Sequence, residues 1–224
     1  MSTSRAAGDQ LRLPGAGGRA EVAAGAVHVP GWLDPADQLR LVAAFHEWAR
    51  PPAGLRHARM PNGVAMSVAT VCLGWHWYPY RYSRTVDDGG GEPVKPFPGW
   101  LGDLARAAVT DAYGDAGGYR PDVALINRYD TDARLGMHQD RDEHSPAPVV
   151  SLSLGDTCVF RFGNPHTRNR PWTDVQLRSG DLFVFGGPSR LAYHGVTKTV
   201  PGSGRPALRL AGQRINITVR ESGL

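Results

Sequence analysis

The nine residues "GMHQDRDEH" at 136–144 hold two histidines and three acids. In an extended chain, residues i and i+2 point to one face. His138 and Asp140 therefore project side by side, one imidazole and one carboxylate within reach of a single metal ion. A third ligand has to come from elsewhere, and His194 in "RLAYHGV" is a polar residue in an otherwise apolar strand. Two histidines and one carboxylate on one face of iron(II) leave three positions open, the arrangement of non-haem iron oxygenases. The same residues could instead form a surface hydrogen bond and a satisfied core histidine, or hold zinc for hydrolysis.

The final strand weighs toward the oxygenase. "RINITVR" (214–220) puts Arg214, Asn216, Thr218 and Arg220 on one face and Ile215, Ile217 and Val219 on the other. Such alternation usually marks a solvated polar row. Beside an open metal site it has a second meaning. An arginine fork binds a carboxylate by two parallel hydrogen bonds, and two forks suit a dicarboxylate. "LINRYD" (125–130) adds Asn127 and Tyr129, again two apart and able to donate to the same ligand.

These residues need a scaffold that brings distant strands together. "DPADQLRLVAAFHEWAR" (34–50) predicts a helix capped by Asp34 with Pro35 in its first turn, and "GWLGDLARAAVTDAYG" (99–114) a second, stopped by Gly114. Strand patterns lie at 26–33 and 63–75, and a Gly/Pro-dense loop at 87–98. Eight short strands follow: 122–129, 133–139, 148–154, 157–162, 174–178, 181–185, 191–197 and 212–220. The expected fold is mostly β with flanking helices, a double-stranded β-helix (jelly-roll) barrel with an N-terminal helical and lid extension.

The 224 residues carry a net charge of +4 and suit one domain over 21–224, after a leader at 1–20 expected to be disordered. Within the domain, about 64–97 is read as a lid and 122–220 as the barrel core. Cys72 and Cys158 form no CxxC pair, which argues against a disulfide framework or cysteine-built zinc site and fits a cytoplasmic protein. No apolar run approaches a membrane span, and the N-terminus lacks the apolar core of a secretory signal. Charge is uneven: residues 157–224 hold ten Lys/Arg against three Asp/Glu, a balance of +7, leaving −3 for the first 156. A basic C-terminal half suits an anionic partner such as nucleic acid.

"LINRY", "HQDRDE", "VSLSLG", "GDLFVFGG–SRLAYHGV" and "RINITVR" occur together in the order and spacing of the AlkB-type family, and the chain resembles it from about Val64 to Arg220. That family consists of iron(II)- and 2-oxoglutarate-dependent dioxygenases that repair alkylated bases. The resemblance implies His138, Asp140 and His194 as catalytic iron ligands, and Asn127, Tyr129, Arg214, Asn216 and Arg220 as 2-oxoglutarate contacts. It implies that O2 and 2-oxoglutarate drive hydroxylation of an N-methyl group, which leaves as formaldehyde. Trp75 is the implied base-stacking residue, with Tyr80, preferred over Tyr82, on a backbone phosphate. Asp142 would face the exocyclic amine of the base, and Arg168, or Arg170 in its place, would contact the substrate. Arg190 would pair with an acid near the metal.

The expected function is demethylation of 1-methyladenine and 3-methylcytosine in alkylated DNA, single strands preferred, with RNA as a further substrate, by a monomer. Two other readings remain. One is an iron hydroxylase of a protein or small molecule; the other is a non-catalytic reader of modified nucleic acid. Buried lid aromatics would favour the first, and iron binding without 2-oxoglutarate consumption the second.

Overall fold

The computed structural model describes residues 18–224. Residues 1–17 of the expected leader lie outside the described residues; at its end, Arg19 donates to the Ala112 carbonyl at 2.8 Å and Ala20 already begins a strand. In chain order the elements are β1 (Ala20–Ala23), β2 (Ala26–Val29), α1 (Pro35–Trp48), β3 (Ala69–Leu73), β4 (His76–Tyr78), β5 (Arg81–Ser83) and α2 (Gly99–Tyr113). There follow β6 (Val123–Tyr129), β7 (Leu135–His138), β8 (Val149–Gly155), β9 (Thr157–Phe162), β10 (Thr173–Leu177), β11 (Leu182–Phe185), β12 (His194–Val200) and β13 (Arg214–Arg220).

Local chemistry sets the helix ends. Asp34 accepts from the Asp37 amide at 2.8 Å and Pro35 opens α1, satisfying one orphan donor and pre-setting φ. Gly114 ends α2 at φ 87°, a left-handed cap that a side chain would strain. Two expected strands are shorter than their patterns. Only 69–73 of the 63–75 run pairs with β6, because Met60–Met66 folds back on itself through an Arg59–Ala65 bridge. The 26–33 run stops at Val29, where Gly31 turns the chain at φ 62°.

The larger sheet runs β1-β2-β11-β8-β13-β6-β3 and the smaller β10-β9-β12-β7, while β4 and β5 form a separate hairpin. Ile215, Ile217 and Val219 of β13 face α1 and α2, together with Val150, Leu152 and Val184. The opposite face of the larger sheet meets the smaller one through Phe160 against Phe183 and Phe162 against Phe185, with ring centroids 5.0 and 5.6 Å apart. Two facing antiparallel sheets with helices on one side match the jelly-roll architecture expected from the sequence. The polar face of β13 therefore points into the barrel and not to solvent. Among the described residues no helix is long and apolar enough to cross a membrane.

β7 and β12 meet at the open end of the barrel, with His138 opposite His194. Their register shifts between His194 and Val196, and Gly195 makes the close approach possible. A Cβ on Gly195 would lie 2.5 Å from the Leu135 carbonyl oxygen and 2.9 Å from that of Gly136. Gly195→Ala should therefore push the two strands apart, lowering stability by about 1–3 kcal/mol. Iron affinity should fall with it. Thermal denaturation with metal titration checks both, and an unchanged affinity would show that the histidine spacing does not depend on this contact.

Candidate active site

The β7–β12 pairing brings the His138 and His194 rings to a centroid distance of 4.5 Å. Asp140 lies two residues past His138, just beyond the end of β7. Its Oδ1 is 3.5 Å from His138 Nε2 and its Oδ2 3.7 Å from His194 Nε2. All three ligand atoms lie within 4.8 Å of one another, close enough to share one ion. The Nδ1 atoms face carbonyls two residues upstream, His138 to Gly136 and His194 to Ala192, each at 2.9 Å. A carbonyl can only accept, so each Nδ1 carries the proton and each Nε2 offers a lone pair.

The charge states fit the same purpose. Burial pushes the His194 imidazole down to about 4, more than the Asp140 carboxylate can offset, so it is neutral and ready to ligate. Burial alone would raise Asp140, but the Arg220 guanidinium, aided by both imidazoles, holds its carboxyl well below the usual carboxylate range.

Behind this triad lies a buried ionic network. Arg220 places Nη2 2.7 Å from Asp140 Oδ2, while its Nη1 donates to Glu143 at 2.9 Å and to the Tyr82 hydroxyl at 3.2 Å. Arg190 donates to Glu143 at 3.0 Å and to the Asp140 backbone carbonyl. Arg190 thus pairs with an acid near the candidate metal position, and the acid is Glu143. Buried ion pairs are weak evidence for stability, since desolvation offsets their attraction. Their effect here is positional: both the backbone and the carboxylate of Asp140 are held by arginines.

The second set of expected residues lines the same cavity. Asn216 donates to Ser151 Oγ at 2.7 Å, and Asn127 accepts from Thr70 Oγ1 at 2.7 Å. Arg214 is only 1% exposed, donates to Ser153 Oγ at 3.1 Å and lies 5.0 Å over the Tyr129 ring. Its Nε and Nη1, and Nε of Arg220, are buried without a hydrogen-bond partner among the described residues. Cationic donors left unpaired out of water are costly, and they accept an anionic ligand readily. Their donor set and that of the triad fit a dicarboxylate beside a metal.

The cavity shares His138, Asp140 and Arg220 with an adjoining groove of about 390 Å³. Tyr80, Asp142 and Arg168 line this groove; Tyr80 is 60% exposed at its mouth. Tyr82 is not available to a phosphate, because its hydroxyl is engaged with Glu143 and Arg220. Arg170 lies off the groove, 5.3 Å over Trp172.

Trp75 does not line the groove. Gly74 turns the chain at φ 79°, leaving Trp75 outside β4. Its indole N–H donates to Asp122 at 3.1 Å, and the Arg84 guanidinium covers its ring at 3.5 Å. Trp77, two residues on, lines the groove instead. The repeated tryptophan in "WHW" carried that possibility, with nothing to choose between the two. Arg134 and Arg141 also line the groove, with no acid partner among the described residues, and no local pattern in the sequence marks Arg134.

Residues 25–220 match the 2OG-Fe(II) oxygenase superfamily. The chain is 41% identical over 170 residues to the alpha-ketoglutarate-dependent dioxygenase AlkB of Escherichia coli, covering 73% of this chain and 75% of that one. It belongs to the AlkB family. An AlkB homolog of Caulobacter vibrioides is 40% identical over 197 residues, 86% of each chain. The AlkB-type fold is matched by the solved structure of OsALKBH1, with a TM-score of 0.78 and 30% identity over 88% of this chain and 98% of that one. As an AlkB-family member the chain is an iron(II)- and 2-oxoglutarate-dependent dioxygenase, with O2 as co-oxidant.

Proposed function

We propose that this dioxygenase removes N-alkyl groups from damaged bases in nucleic acid, acting on cationic lesions of the 1-methyladenine and 3-methylcytosine type. One observation carries the reading. The cavity that unites the triad with unpartnered arginine donors shares His138, Asp140 and Arg220 with a groove bearing an indole, a carboxylate and arginines with no acid partner among the described residues.

His138, Asp140 and His194 would hold iron(II) through two neutral Nε2 atoms and one carboxylate oxygen. Arg214, with Tyr129 beneath it, would hold the distal carboxylate of 2-oxoglutarate, and Asn127, Asn216 and Arg220 would orient the rest. Together the metal and cosubstrate would supply the oxidation: one oxygen atom of O2 would enter succinate as 2-oxoglutarate loses CO2, and the other would hydroxylate the base's N-methyl group, which then leaves as formaldehyde. The protein's part is placement and exclusion of side reactions. Trp77 offers a flat wall to the base, and Asp142 faces its positive ring and exocyclic amine. Tyr80, Arg134, Arg141 and Arg168 meet the backbone phosphates, in keeping with the basic C-terminal half. An unpaired base enters such a groove at lower cost than one extruded from a duplex, so single-stranded DNA is the preferred substrate, with RNA second. Both cysteines are buried and free, which suits a reducing cytoplasm, and the protein acts there as a monomer.

The test is anaerobic reconstitution with iron(II) and 2-oxoglutarate, followed by air and an oligonucleotide carrying 3-methylcytosine. Cytosine and succinate should appear in equal amounts. Succinate without demethylation would discard the substrate, and no succinate with iron bound would discard the turnover.

A further inference from the structure

The β4–β5 hairpin makes two polar contacts with the segment that follows Asp140, and both come from one cross-strand pair. Trp77 and Tyr82 are register partners in the hairpin. The Trp77 indole N–H donates to Asp142 Oδ2 at 2.8 Å, and the Tyr82 hydroxyl donates to the neighbouring acid, Glu143. Trp77 is the hydrogen-bond partner of the Asp142 side chain among the described residues. Glu143 is held as well by Arg190 and Arg220, so Tyr82 joins a network already rigid, whereas Asp142 has the indole to orient it.

We propose that Trp77 is a specificity-determining positioning residue, whose indole N–H fixes the Asp142 carboxylate so that its other oxygen faces the target base. An ionised carboxylate only accepts, and it offers about four lone-pair sites. The bond from Trp77 occupies Oδ2 and leaves Oδ1 for an exocyclic amine. A carboxylate held there attracts a cationic alkylated adenine or cytosine. It repels the carbonyl that a neutral 3-methylthymine presents at the same place, with a buried acceptor left facing an acceptor. Without the indole N–H, Asp142 is free to turn toward Arg141 or solvent, and the discrimination weakens. This deepens the reading of Asp142 as a base contact and rests on it.

Trp77→Phe keeps an aromatic ring at this position and removes the N–H donor along with part of the indole's area. The preference for 3-methylcytosine over 3-methylthymine, as a ratio of kcat/KM, should fall about ten-fold. The KM for 2-oxoglutarate should stay the same, and thermal denaturation should show a cooperatively folded variant with at most a small drop in midpoint. Asp142→Asn should lower the same ratio, and adding Trp77→Phe to Asp142→Asn should change it no further, because the indole acts through the acid. An unchanged ratio in Trp77→Phe, with a lowered one in Asp142→Asn, would overturn the role of Trp77 and leave that of Asp142. Unchanged ratios in both would overturn the two together. Additive losses in the double variant would also overturn the proposal, showing that Trp77 acts on the base independently.

Discussion

Replacing His138 with alanine should reduce demethylation by at least about a thousand-fold, beyond the roughly 10–100-fold typical when only an outer partner of a ligand is lost. The reasoning is structural. His138 is half-buried at the end of β7, so its removal leaves little void, and its Nε2 is one of three atoms poised to share an ion. His194→Ala should be equally inactive, but at a larger cost in stability. Its ring packs 4.9 Å from Phe185 and 5.7 Å from Phe160, and alanine would leave a cavity among them. Iron content and succinate yield, measured alongside the thermal midpoint, separate the two effects. Near-normal turnover in a folded His138→Ala protein would end the metal assignment. A loss of turnover with iron retained would move His138 from ligand to substrate contact.

The contrast between the triad and the β4–β5 hairpin shows what one sequence can reveal. His138 and Asp140 share a short segment, and the alternation of β13 is regular over seven residues, so each local pattern carries its own meaning. The pairing of β7 with β12 follows from the barrel that those strands imply. The β4–β5 hairpin obeys no such pattern. β4 and β5 have three residues each, too short for periodicity to register. Their side chains are placed by partners far along the chain: Trp75 by Asp122, Trp77 by Asp142, Tyr82 by Glu143. Only tertiary contacts distinguish one tryptophan of "WHW" from the other. Glu143 was obscured for a related reason. Its charge suggests a surface residue, and only the partners converging on it, Arg190, Arg220 and the Tyr82 hydroxyl, account for its burial.

Arg214 offers the second large effect, and its sign should reverse with the cosubstrate. Removing one partner of a buried, hydrogen-bonded charge pair costs about 2–5 kcal/mol. Arg214→Met should therefore raise the KM for 2-oxoglutarate by about a hundred-fold or more, while iron affinity changes little. Arg214→Lys keeps the charge but loses the fork, and should fall between the two. Without cosubstrate the balance differs. Two of the guanidinium nitrogens are then buried with no acceptor, a cost that an apolar side chain of similar length does not carry. Arg214→Met should accordingly melt at the same temperature as the natural protein, or higher, in the absence of 2-oxoglutarate. Saturating 2-oxoglutarate at about a hundred times Kd should stabilise the natural protein by about 2.7 kcal/mol. The variant at the same concentration should gain almost nothing. Thermal denaturation with and without the dicarboxylate measures both signs in one experiment. A variant destabilised equally in both conditions would show Arg214 to be a structural element of the barrel. One stabilised by 2-oxoglutarate as much as the natural protein would place the distal carboxylate elsewhere.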